Sequence, residues 1–242
     1  MVEVRTIRRN LSIAGFALTM LAVLAADSQA DMQTYGFYSI TNTIAGHAAI
    51  GEAQLFVDVS NTYRNGDPLP SSDQVLFGFR NTGPLASSIC DIYFDDGALM
   101  SGISMLIDAD DNHLLGGDDA VDFSRGASPG ELPSANNAVP TFQTTAGFLA
   151  DSDAPVYRKG VGAGEWLGIV FNLQTGKTYT SVIEDLADGD LRIGIHVQGF
   201  DTGGSESFVN NPPRVPLPAA MLLGSMGLSV AGWRLRGRKE LA

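Results

Sequence analysis

The densest run of ligating side chains is Asp108-Ala-Asp-Asp-Asn-His-Leu-Leu-Gly-Gly-Asp-Asp119. Asp108, Asp110 and Asn112 set oxygens at i, i+2 and i+4, the spacing of the first three ligands of an EF-hand loop. Leu114 can offer its carbonyl, and Asp119 falls at the twelfth position. His113 stands where that loop wants glycine, Asp119 replaces the bidentate Glu, and no flanking helices are expected. Two readings follow. Asp108, Asp110, Asn112 and Asp119 hold Ca²⁺ weakly, or the run is a hydrated acidic hairpin turn. No other cofactor is indicated.

Catalytic patterns are sparse. Asp95-Asp96 and Glu165 have the chemistry of a glycosidase acid and base. However, Asp31 to Pro213 carries 24 carboxylates, enough for adjacent pairs to arise by chance. His47, His113 and His196 are far apart and form no HExxH spacing. His196, in the run IGIHVQ, reads as a solvent-facing strand residue. Gly203-Gly-Ser-Glu-Ser207 ends in serine where a nucleophile elbow needs glycine, and it joins no parallel strand to a helix. Gly160-Val-Gly-Ala-Gly164 leads into a strand, so no helix N-terminus receives a phosphate. Cys90 is the sole cysteine; it cannot form an internal disulfide and reads as a small buried hydrophobe. No catalysis is expected.

The elements that position these residues read as β. Ala53–Ser60, Gln74–Asn81, Ile89–Asp96, Leu99–Ile107, Glu165–Leu173 and Leu191–Phe200 alternate or run apolar over strand lengths. Turn residues separate them: Asn65-Gly-Asp-Pro68, Asn81-Thr-Gly-Pro84, Asp95-Asp-Gly97 and Thr175-Gly-Lys177. One helix is expected, with Ser181 and Glu184 forming a capping box and Gly189 closing it. Gly126 to Pro140 is too long and turn-rich for a hairpin, which predicts an ordered surface loop or flap. Short strands with little helix predict an all-β antiparallel sandwich or jelly roll, and no internal repeat is visible.

Charge divides the 242-residue chain into three parts. Its net charge is −12, but Asp31 to Pro213 holds only 7 basic residues, a balance of −17. Such a body repels nucleic acid and is compatible with divalent cations. Arg5, Arg8 and Arg9 precede an uncharged apolar stretch from Leu11 to Ala25, and Ser28 and Ala30 supply small residues. This layout predicts a signal peptide over 1–30, cut between Ala30 and Asp31. A domain over 31–210 follows. At the far end, Val215 to Trp233 is uncharged for 19 residues, near the lower limit for a bilayer span. Trp233 and the cluster Arg234, Arg236, Arg238 and Lys239 mark its cytoplasmic end.

Val215-Pro216-Leu217-Pro218-Ala219, the glycine-containing apolar helix and the arginine cluster together resemble the VPLPA variant of the PEP-CTERM sorting signal, over 211–242. The resemblance implies processing by an exosortase after signal peptidase. It also implies the envelope, surface or matrix of an exopolysaccharide-making Gram-negative bacterium as destination. FRNTGPLASSICDIYFDDG, VDFSRGASPGELP, GEWLGIVFNL and the run from Leu191 to Pro213 also resemble a recurring, uncharacterised ectodomain of PEP-CTERM proteins; that implies a fold and no chemistry. The expected role is structural, or the binding of extracellular polysaccharide or matrix. The alternative is a secreted polysaccharide hydrolase using acidic residues.

Overall fold

The computed structural model describes residues 32–109 and 120–210. Ten strands occur in chain order: β1 Met32–Ser39, β2 Leu55–Ser60, β3 Gln74–Asn81, β4 Ser88–Asp96, β5 Met100–Ile107, β6 Phe123–Arg125, β7 Leu149–Ser152, β8 Trp166–Leu173, β9 Leu191–Gln198 and β10 Glu206–Asn210. Among the described residues three α-helices interrupt them: α1 His47–Gln54, α2 Val156–Lys159 and α3 Tyr179–Asp188. None of the described helices is long and apolar enough to cross a membrane.

All pairings are antiparallel, in the order β5-β8-β3-β2-β1-β10-β9-β4-β7-β6. The all-β antiparallel expectation therefore holds, but one continuous sheet replaces the two expected of a sandwich. β1 makes the continuity: Met32 to Gly36 pair with β2, and Phe37 to Ser39 pair with β10. The sheet curls until its edge strands nearly meet. There the Arg125 guanidinium donates to Ser104 O at 2.7 Å, and Ala109 N donates to Val121 O at 2.8 Å. The result is a nearly closed barrel.

Alternation fills the interior. Val57 and Val59 of β2, Phe77 and Phe79 of β3, Ile92 and Phe94 of β4, and Ile169 and Phe171 of β8 are all fully buried. Phe94 reaches across the barrel to Phe171 and Phe77, with ring centroids 4.7 and 5.0 Å away in edge-to-face geometry. α3 covers one end through Val182 and Leu186. Its N-cap is Thr178, whose N–H donates to Ser181 Oγ at 3.3 Å. Ser181 thus holds the third helical position, and Glu184 takes no part in the cap. Gly189 closes the helix at φ 84°, as its sequence position implies.

The stretch from Gly126 to Pro140 is part of a strap over the outer face of β4, β9 and β10. Leu132, Ala138 and Phe142 pack on Tyr93, Val209 and Ile40. Gly194 makes the close approach possible, since a Cβ there would sit 2.8 Å from Leu132 and 3.0 Å from Phe142. Arg192 fastens the strap by donating to Thr141 O at 2.7 Å while pairing with Asp95. The strap is a fixed cover held by buried side chains.

Candidate binding groove

The opposite outer face, over β2, β3 and β8, is left open above a local apolar floor. Three rows cross it. Ser60 lies opposite Leu76 and Leu76 opposite Val170; Asp58 opposite Gly78 and Gly78 opposite Gly168; Phe56 opposite Arg80 and Arg80 opposite Trp166. The two glycines leave a trough in the sheet surface, and the Trp166 indole lies in it. A Cβ at Gly78 would stand 2.6 Å from Trp166 Nε1, and one at Gly168 would stand 2.5 Å from the far end of the ring. Glycine in the middle of a strand marks such close approach.

A short loop then builds one wall. Thr62 bridges Pro68, Tyr63 N donates to Asp67 O at 2.8 Å, and Gly66 N donates to Tyr63 O at 2.9 Å. This turn presses Tyr63 and Leu69 onto Trp166 and Leu76 and holds the Arg64 guanidinium 5.3 Å from the indole centroid. On the other side, Arg80 packs over Phe56 and donates to both oxygens of Asp58, at 2.7 and 3.3 Å. Thr34 Oγ1 donates to the same carboxylate at 2.6 Å. Between these walls lies a groove of about 390 Å³, near the lower end of the ~300–1,000 Å³ range of ligand pockets. Met32, 59% exposed, forms its outer lip. Hydroxyls of Ser60 and Thr62, the paired Asp58 and Arg80, and the guanidinium of Arg64 face this space over a floor of Leu76 and Trp166. Such a surface can hydrogen-bond a polyhydroxylated ring and pack its C–H face.

A second polar cluster lies on the outer face of the other half. Asp91 is opposite both Asp151 and His196 in the register. His196 Nδ1 is 2.8 Å from Asp91 Oδ2, and Asp91 is 3% exposed. His196 is therefore half of a largely enclosed hydrogen-bonded pair, in place of the solvent-facing residue that strand alternation suggests. Burial, and then the adjoining Asp91 carboxylate, push Asp151 up to about 6. The Asp91 and Asp151 carboxyls are in hydrogen-bond contact, closer than the ~5–5.5 Å of a retaining glycosidase pair.

The residues singled out for chemistry are dispersed. Asp95 pairs with Arg192 and accepts from Gln143 N at 3.0 Å. Asp96 accepts from Leu99 N and Met100 N, closing the turn into β5, and burial raises its carboxyl. Glu165 accepts from Gly162 N at 2.7 Å, in the turn before β8. None of the three lines the groove. Cys90 is buried, its thiol pushed up to about 12 first by burial and then by Asp91, so it is inert as a nucleophile. His47 stacks on Phe200 and bonds Thr202 at 2.7 Å. Ser205 leads directly into β10, and the adjoining Glu206 is a buried anchor, accepting from Thr43 N at 2.7 Å and Ile44 N at 3.0 Å.

Asp108 is 2% exposed, and its Oδ2 accepts from Phe123 N at 2.9 Å, so one oxygen of the expected calcium ligand ties β6 to the end of β5. Asp110, Asn112 and Asp119 lie outside the described residues, as does His113. Among the described residues no cluster of His, Cys, Asp or Glu has metal-holding geometry. Ala30, Asp31 and the motif Val215, Pro216, Leu217, Pro218 and Ala219 also lie outside them. The groove itself escaped the sequence reading. Its one legible sign was a pair of glycines, Gly78 and Gly168, in the middle of two apolar runs.

No family model matches the chain, and no curated protein or solved structure is similar to it.

Proposed function

We propose that this chain is an exported cell-envelope or matrix protein whose barrel binds extracellular saccharide and performs no catalysis. The address rests on the two ends: the signal-peptide layout before Asp31, and the resemblance of Val215 to Lys239 to an exosortase-processed tail. The binding role rests on one observation, the open groove between the Tyr63–Arg64 loop and the Asp58–Arg80 pair. Its polar groups are already held by neighbours, so little ordering is lost when a ligand binds. The hydrolase alternative is weaker, because Asp95, Asp96 and Glu165 are each committed to backbone amides or an arginine and sit apart from the groove.

The protein taken from an envelope preparation and carrying Trp233→Phe has Trp166 as its one tryptophan, with or without its tail. Titration with oligosaccharides cut from the producing cell's own exopolysaccharide should change Trp166 emission saturably. Asp58→Ala should weaken that binding. Saturable binding unaffected by Asp58→Ala would remove the groove as the site, and release of reducing ends would establish the hydrolase.

A further inference from the structure

We propose that the groove selects a saccharide bearing an isolated carboxylate, a uronic acid unit, and that Arg64 receives that carboxylate. The proposal rests on the saccharide-binding reading and specifies its ligand class. Two arginines line the groove, and they differ in their commitments. Arg80 spends its fork on Asp58, so that pair is locally neutral. Arg64 is exposed and has no carboxylate partner among the described residues. Its guanidinium is held over the Trp166 ring, a contact that orients the plane and leaves its N–H donors open. A planar fork of this kind matches a carboxylate with two parallel hydrogen bonds.

Trp166 is 4% exposed, so it supports Arg64 and does not serve as a stacking platform. The sugar ring instead meets the exposed Met32 at the lip, with Ser60 and Thr62 near its hydroxyls. The surrounding charge narrows the class further. The body from Asp31 to Pro213 carries −17, against a local excess of one positive charge in the groove. A densely charged polyanion is repelled as a whole. At ~0.15 M salt, fields fade beyond about 8 Å, so a single carboxylate seated at Arg64 responds mainly to its immediate neighbours.

The test uses the full chain labelled with ¹⁵N-arginine and ¹⁵N-tryptophan in detergent, titrated with glucuronate, galacturonate and mannuronate, and with glucose, galactose and mannose. Side-chain signals of Arg64 and Trp166 should shift saturably with at least one uronate. The matching hexose should bind about tenfold more weakly or worse, the effect of one charged hydrogen-bonding pair. Arg64→Gln should erase the preference while keeping the melting temperature. Equal binding of a uronate and its hexose, unaltered by Arg64→Gln, would overturn the carboxylate inference and leave the saccharide reading standing. Shifts as strong with acetate alone would reduce the site to a general anion contact and overturn the sugar component. Silence toward all six sugars would overturn both.

Discussion

Replacing Gly78 with alanine probes the packing that creates the groove. In an open strand this change gains about 0.5–1 kcal/mol, since alanine loses less conformational freedom on folding than glycine. Here the new methyl would sit 2.6 Å from Trp166 Nε1, closer than Cβ atoms come, and 3.2 Å from Cε2, tighter than most Cβ contacts. The indole cannot simply slide toward β8, because Gly168 is already in close contact with it and Ile107 packs alongside. It must lift, displacing Tyr63 and Arg64. Overpacking of this kind costs about 1–3 kcal/mol, enough to reverse the sign expected of an open strand. At ~2–4 °C per kcal/mol for a domain of this size, the melting midpoint should fall by roughly 4–8 °C for a ~2 kcal/mol loss. Calorimetry of the Trp233→Phe chain gives the midpoint, and Trp166 emission should move toward the red as the ring gains water. A midpoint that rises, with emission unchanged, would refute the seating of Trp166 across the two glycines and the groove built upon it.

Phe94→Ala should lower stability by about 3–5 kcal/mol in denaturant titrations, since it empties the centre where the two halves of the sheet face each other; a loss under ~1 kcal/mol would contradict that packing. Asp151, facing Asp91 and Asp153 with His196 bonded to Asp91, has its carboxyl raised to about 6 from an ordinary 3.8. A raised carboxyl holds its proton more tightly when folded, so its stabilising contribution is complete below pH ~3.8 and is lost as pH rises through ~6. Asp151→Asn should therefore melt higher than the parent at pH 7 and equally at pH ~3.5, by a modest margin because the group is partly exposed. Calcium at ~10 mM should stabilise the full chain by ~1.5–3 kcal/mol if the 108–119 loop binds it with a dissociation constant of about 10⁻⁴ to 10⁻³ M. Asp110→Ala should abolish that gain, whereas coincident melts with and without calcium leave a hydrated acidic turn.

The strands were legible where their own residues decide their state. Gln74–Asn81 matches β3 at both ends, and the other five expected strands lie within about two residues of those observed. α1 was invisible because Gly46 begins it with no side-chain cap, and its close contact is made by Gly51 against Phe208, a partner far along the chain. Ala53 and Gln54 read as strand for the same reason, since helix passes into β2 there without a turn residue. β6, β7 and β10 are short, and their pairing is set by neighbours. The groove and the Asp91–Asp151–His196 cluster depend on register, which places opposite one another residues 16 to 105 positions apart in the chain. Composition carries no record of that. The sheet's continuity through β1 is likewise a matter of pairing on both sides of one strand, so alternation alone could not distinguish two sheets from one curled sheet.

Under the proposed role, saccharide binds in the groove over β2, β3 and β8. Amide hydrogen exchange on the full chain, with and without oligosaccharides of the producing cell's exopolysaccharide, reads that location without any mutation. Added ligand should slow exchange in the Asn61–Asp67 loop and along β2 and β3 at Asp58 to Ser60 and Leu76 to Arg80, while the strap over β4 and β9 stays unchanged. Slowing confined to the strap, or absent everywhere at saturating ligand, would contradict the assignment.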